Sequence, residues 1–144
     1  MTTVLTEITT QKLDRDHVAR RVEDWVGRIN GLYDQIEAWL PPGWTADHAG
    51  KTSMHEPLME KFNIPPRELP VLRLSYLGKP SAHIEPEALW IVPINGQLDL
   101  YRGSEQYLIT DRAENFEPPQ WYIAPLSDRR DRRRLNRETL ISVL

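Results

Sequence analysis

The stretch His83-Ile84-Glu85-Pro86-Glu87 holds the first set of side chains that could do chemistry. On a strand, alternate residues share a face, so His83 and Glu85 point the same way and Glu87 can follow. An imidazole with two carboxylates is a donor set for a divalent metal. Pro86 argues the other way, for a polar edge strand whose side chains face water, because proline interrupts a hydrogen-bonded ladder. No metal motif of fixed spacing accompanies the cluster. The expectation is therefore no metal and no cofactor, with His83 and Glu85 the candidate ligands should a metal bind.

A second set is basic. Arg129, Arg130, Arg132, Arg133, Arg134 and Arg137 fall within nine residues, and Asp128–Leu144 carries six arginines against three acids. Guanidinium groups pair with phosphates through forked donors, and the neighbouring Trp121 and Tyr122 could offer stacking surface. Asp128 and Asp131 dilute the tract, and the whole chain has a net charge of -3. The plainer reading is a solvated basic loop that neutralises acids such as Glu114 and Glu117.

Hydrolytic chemistry needs a base, an orienting group and a nucleophile within hydrogen-bond reach. Asp47-His48, His55-Glu56 and His17 supply residue types, but nothing in their spacing fixes a geometry. The serines lie in no nucleophile-elbow pattern, and the seven glycines are scattered singly, so there is no phosphate-cradling loop. The balance favours a non-enzyme. The aromatic residues Trp44, Trp90, Tyr101, Tyr107, Trp121 and Tyr122 are too many for one buried face. Tyrosine and tryptophan favour interfaces, and a sheet face carrying Tyr101 and Trp121 is a candidate docking surface.

Position for all of these must come from one long helix. Val18, Val22, Trp25, Ile29, Leu32, Ile36 and Trp39 are spaced +4, +3, +4, +3, +4, +3, an unbroken apolar seam. Asp14 and Asp16 suit its start, and Pro41-Pro42 stops it. Val26, Tyr33 and Leu40 widen the stripe, which favours packing on a sheet over a coiled coil. Arg20, Arg21, Glu23, Asp24, Arg28, Asp34 and Glu37 read as the solvated face. Gly27 and Gly31 each cost the helix about 1 kcal/mol relative to alanine; they are either tolerated or mark the close approach of a second backbone.

Residues 1–13 read as a loose arm. Residues 45–70 look irregular, apart from a helical turn capped by Ser53 with Glu56 as its partner. From residue 71 the period becomes two. Leu72–Tyr76, Ala82–Glu85, Ala88–Ile94, Leu98–Tyr101, Gln106–Thr110 and Trp121–Ala124 read as strands, with Asn95-Gly96 a type I′ hairpin turn. A helix capped by Asn136, with Leu135 stapled onto Leu140, closes the chain. The fold class expected is α+β: an antiparallel meander of five to six strands packed against the long N-terminal amphipathic helix and a short C-terminal helix, in a single domain spanning 1–144.

Composition bounds the rest. An apolar fraction of 40% and a charged fraction of 27% are those of a soluble globule, and no run approaches a membrane span. The absence of cysteine removes disulfides and thiol chemistry, and no apolar leader is visible, so a cytoplasmic location is expected. The functional expectation is a small protein-binding module: an adaptor, regulator or immunity-type partner. A nucleic-acid-associated module using Arg129–Arg137 is the alternative, and a metal-dependent hydrolase around His83 and Glu85 comes third. No membrane partner is expected, and a homodimer stays open.

Overall fold

The computed structural model describes residues 14–91 and 93–144; the arm read over residues 1–13 lies outside them. Helix α1 spans Arg15–Trp39. Asp14 caps it, its carboxylate accepting from the His17 amide at 2.8 Å. The seam from Val18 to Ile36 is buried, and Trp39 is half-buried. Tyr33 locks the helix to the sheet: its hydroxyl lies 2.9 Å from the Pro70 carbonyl and 3.2 Å from that of Ile84. Burial, and next the charge of Glu85, hold this phenol well above its ordinary pKa.

The sheet has seven strands, not five or six. They are β1 (Trp44–Met54), β2 (Arg67–Tyr76), β3 (Lys79–Ala88), β4 (Gln97–Arg102), β5 (Glu105–Asp111), β6 (Trp121–Pro125) and β7 (Arg133–Arg134), side by side in chain order. Every neighbour is antiparallel, as short connections demand. The short helices α2 (Pro57–Lys61) and α3 (Arg137–Ile141) complete the set. On the helix-covered face lie Leu72, Leu74, Ile84, Leu98, Leu100, Ile109 and Ile123, packed with the α1 seam, Leu135 and Leu140. Asn136 caps α3 in a reciprocal box with Thr139, as its residue type foretold.

Three segments depart from the sequence reading. The stretch read as irregular contains β1, an eleven-residue edge strand. From Trp44 to Ser53 its side chains alternate between half-exposed and exposed, and only the terminal Met54 is buried, so ladder bonds to β2 more than burial hold it, and no apolar alternation marks it. Ser53 ends in that strand, opposite Glu68, and caps nothing. Glu56, the residue before α2, turns its carboxylate to the amides of Leu89 at 2.7 Å and Trp90 at 3.2 Å.

Those two bonds anchor the second departure. Of the apolar run read as a central strand over Ala88–Ile94, Ala88 ends β3, and Leu89, Trp90, Ile91, Pro93 and Ile94 lie in no strand, with an isolated bridge between Ile91 and Ile94. The third is Asn95-Gly96, which makes no hairpin turn. The Asn95 amide donates to the Asp111 carbonyl at 2.7 Å, and the Asp111 amide returns a bond to Gly96 at 3.1 Å. Gly96 has φ +140°, and a Cβ there would lie under 3.0 Å from three carbons of the Trp25 ring. This position needs glycine for close approach to the helix. Among the described residues, no helix is long and apolar enough to cross a membrane.

Candidate functional site

Two arginines of α1 organise the site. Arg21 and Arg28 lie seven residues apart, each just before a seam residue (Val22, Ile29), so the helix turns both inward. They are 4% and 6% exposed, not members of a solvated face. Arg28 is fully engaged. Nε donates to Asp24 at 2.5 Å, Nη1 to Asp111 at 2.7 Å and Nη2 to the Glu117 carbonyl. Asp111, at the end of β5, is wholly buried. Its second oxygen accepts from the amides of Ala113 at 3.0 Å and Gln120 at 2.9 Å, which folds the 112–120 loop back onto the helix.

The network continues through Asn95, whose Nδ2 donates to Asp111 at 3.3 Å. The Asn95 side-chain oxygen in turn accepts from Arg21 Nη1 at 2.8 Å, as does that of Asn115. Asp24, Arg28, Asp111, Asn95 and Arg21 thus form one chain of buried and half-buried polar groups. Two acids balance two arginines, but both acids contact Arg28. Among the described residues, Arg21 donates only to neutral oxygens, and its Nε is enclosed with no partner. Desolvation by burial lowers its pKa; the charge of Asp24 opposes that shift and the charge of Arg28 adds to it.

The 112–120 loop divides the surface into two recesses. On one side a groove of about 520 Å³ runs between α1 and the loop, floored by Gly27, Gly31 and Leu32 and walled by Phe116, Pro118, Pro119 and Trp121. A Cβ added at Gly27 or Gly31 would meet nothing within 4 Å, so among the described residues no second backbone approaches them. Phe116 holds φ +66°, a rare conformation for a bulky residue. It sits 39% exposed, with the Arg20 guanidinium 4.6 Å over its ring and His17 edge-on at 5.7 Å. Trp121 leans into the core against Trp25 at 6.1 Å. On the other side of the loop, a cavity of about 280 Å³ is lined by Arg21, His17, Asn115, Trp90, Ile91, Pro93 and Ile94.

The residues singled out from sequence are dispersed around this site. Trp121 shares the helix-facing side of the sheet with Ile123, whereas Tyr101 alternates with Leu100 and faces the opposite side, so the two do not form one docking face. Tyr101 stacks on His83 at 4.9 Å and lies 3.4 Å from Asp99. Glu85 pairs across the strands with Asp99. Among the described residues, no three metal-ligating groups converge to hold an ion, around His83 and Glu85 or elsewhere. Asp47-His48 lie within β1 and His55-Glu56 just past its end, roughly 20 Å away at strand rise. His48 contacts Glu37 at 3.1 Å instead.

The arginine tract divides by partner. Arg133 pairs with Asp131 at 3.4 Å. Arg134 lies over the Tyr122 ring at 5.4 Å, and Arg137 donates to the Trp39 carbonyl at 3.3 Å. The backbone amide of the exposed Arg130 donates to Asp128. Arg129 and Arg132, with Arg112, instead border a recess of about 170 Å³ that no carboxylate among the described residues lines. Burial, then the charge of Arg132, lower the pKa of Arg112. Sequence reasoning missed Arg21, Arg28 and Asp111. The available signal was the seven-residue spacing of the two arginines alongside the seam. No family model, no curated protein and no solved structure matches this chain.

Proposed function

We propose that this chain is a protein-binding module, of the adaptor, regulator or immunity-partner kind, that seats a segment of a partner protein in the groove between α1 and the 112–120 loop. One observation carries the reading. Gly27 and Gly31 weaken the helix by about 1 kcal/mol each, yet nothing among the described residues fills the space above them. Both floor the groove, where a side chain would fill the room an incoming segment needs. The walls supply what such segments use: an exposed aromatic, two prolines and the edge of a tryptophan. Asp24 and Glu117 border the groove, and the one cation lining it among the described residues, Arg28, is engaged by acids. An apolar segment with a lysine or arginine beside it fits that charge.

A photo-crosslinking residue at Gln35, on the groove rim, tests this in the native host. Capture of a defined protein at one segment, lost in Gly31→Trp with an unchanged melting temperature, supports the reading. Equal capture by the filled variant overturns it.

Nucleic-acid association is the second reading, and the observation favouring it is the recess shared by Arg112, Arg129 and Arg132. It ranks lower because Arg133, Arg134 and Arg137 already have partners within the fold.

A further inference from the structure

Ile109 packs with the α1 seam and Asp111 meets Arg28, so Thr110 between them points to the side of the sheet away from the helix. Leu108 shares that side, and the cross-strand partners Gln97 and Ala124 stand beside these two residues. The four floor the recess of about 170 Å³. Arg112, just past β5, and Arg129 and Arg132, from the loop between β6 and β7, wall it. All three arginines are exposed, and among the described residues none of their guanidiniums has an ion pair or a hydrogen bond. The nearby acids are turned elsewhere. Asp128 accepts from the Arg130 amide at 3.2 Å, Asp131 pairs with Arg133 at 3.4 Å, and the buried Asp99 accepts from Gln97 Nε2 at 3.0 Å. Partial burial, then the charge of Arg132, lower the pKa of Arg112, and among the charges acting on it only that of Tyr122 opposes them. Thr110 is a second, independent sign. It is 7% exposed, and among the described residues its hydroxyl has no hydrogen-bond partner. Nor is that hydroxyl sealed off, since the enclosed unpartnered side-chain atoms are Arg21 Nε and Trp25 Nε1. A buried hydroxyl without a partner costs free energy, and this one can donate to an oxygen that enters the recess.

We infer that this recess is a binding site for a dianionic phosphate group, with Arg112, Arg129 and Arg132 pairing its terminal oxygens and the Thr110 hydroxyl donating from the floor. A phosphate monoester carries close to two charges near neutral pH and three strong acceptor oxygens, which suit three guanidiniums. A carboxylate would leave the recess with cations in excess. A backbone diester brings one charge and two free oxygens, and its chain must continue at both ends, for which a recess of this size has no room. The volume lies below that of sites enclosing a whole drug-sized ligand, so the recess takes the head group. Ile91, Pro93 and Ile94 also line it and offer an apolar bed to whatever the phosphate is attached to. The recess lies on the side of the sheet away from α1 and does not depend on what the groove binds. Two sources present this chemistry: free inorganic phosphate, and the monoester of a small organic molecule.

The test uses the full chain, isotopically labelled so that backbone amide signals are followed one by one near neutral pH. Inorganic phosphate and phenyl phosphate are titrated, with methyl phenyl phosphate as the matched diester of one charge. We expect saturable binding of at least one dianion, signal shifts confined to the strands around Thr110 and Gln97, and affinity roughly tenfold or more above the diester, the contribution of a further charge-assisted bond. Tighter inorganic phosphate than phenyl phosphate assigns the free anion; the reverse assigns an organic monoester. Arg112→Ala/Arg129→Ala/Arg132→Ala should abolish binding. Thr110→Val keeps the shape of the floor without the hydroxyl and should weaken binding by about three- to tenfold, the loss of one neutral hydrogen bond; if that variant does not fold, the triple variant, built at exposed positions, decides. Failure of both dianions to saturate at millimolar concentrations, equal affinity for monoester and diester, or undiminished binding in the triple variant would overturn the inference. So would a folded Thr110→Val protein that binds as tightly as the parent, since the anion would then sit on the rim and not in the recess.

Discussion

Arg28 Nη1 and Asp111 Oδ2 stand 2.7 Å apart with side chains 5% and 0% exposed, joining the middle of α1 to the end of β5. The pair crosses the layer between helix and sheet, and it also sets the loop, because Asp111 accepts two loop amides and Arg28 donates to the Glu117 carbonyl. Groove and polar network therefore rest on the same two residues.

Removing one partner of such a pair leaves a buried charge uncompensated. Asp111→Asn should destabilise the fold by about 3–5 kcal/mol, read from denaturant midpoints. The double variant Arg28→Met/Asp111→Leu should recover much of that loss, because burying neither charge avoids both desolvation costs. A double variant as unstable as the single one would show that the loop amides on Asp111, rather than the ion pair, carry the effect.

Glycines of opposite sign make the second prediction. Gly96→Ala forces a Cβ into the Trp25 ring at a positive φ and should cost more than about 2 kcal/mol or prevent folding. Gly27→Ala and Gly31→Ala meet empty space and should each stabilise by up to about 1 kcal/mol. Thermal melts of the three variants suffice; destabilisation by alanine at Gly27 would mean that the groove floor packs against something in the isolated chain.

What could be read in advance follows from how each element is held. The α1 seam was legible because burial of one helix stripe writes a periodic pattern, and the Asn136 cap because its residue type is itself the mechanism. Edge strand β1 was hidden because backbone bonds hold it, leaving Thr45 to Ser53 free of an apolar code. Leu89–Ile94 misled for the converse reason. Leu89 and Trp90 lie in a loop pinned by Glu56, a contact 33 residues away in sequence for Leu89. The site was illegible where it mattered most, since Arg28 meets Asp111 across 83 residues and a charged type on a helix flank reads by default as solvated.

Glu87 supplies a pH dependence. Partial burial first, then the charge and hydrogen bonding of Asp99, and then Glu85 and Glu56, hold its carboxyl above the usual range. A raised carboxyl pKa means that the folded state keeps the proton longer than the unfolded chain. The contribution is fully present below the unfolded value and is lost as pH rises through the folded one. Stability should therefore drift down from about pH 4 upward, with a small amplitude because Glu87 is exposed. Glu87→Gln should flatten that part of a midpoint-against-pH curve; an unchanged slope would assign the drift to other groups.

The arginine recess separates the two functional readings. Of the basic residues near the C-terminus, Arg129 and Arg132 join Arg112 around a recess that no carboxylate among the described residues lines, while Arg133, Arg134 and Arg137 have partners in the fold. Three such groups could neutralise about three phosphates, which limits the log–log salt slope on duplex DNA to about -2.7. Affinity for DNA or RNA at physiological salt should then be no tighter than about 10⁻⁵ M, the ordinary non-specific range. Salt-titrated fluorescence anisotropy with duplex and single-stranded oligonucleotides measures both quantities. The variant Arg112→Ala/Arg129→Ala/Arg132→Ala should melt like the parent, because exposed arginines add little to the core. If the parent binds below micromolar with a steep salt slope, and this variant loses that binding, nucleic acid displaces the protein partner as the ligand of this chain.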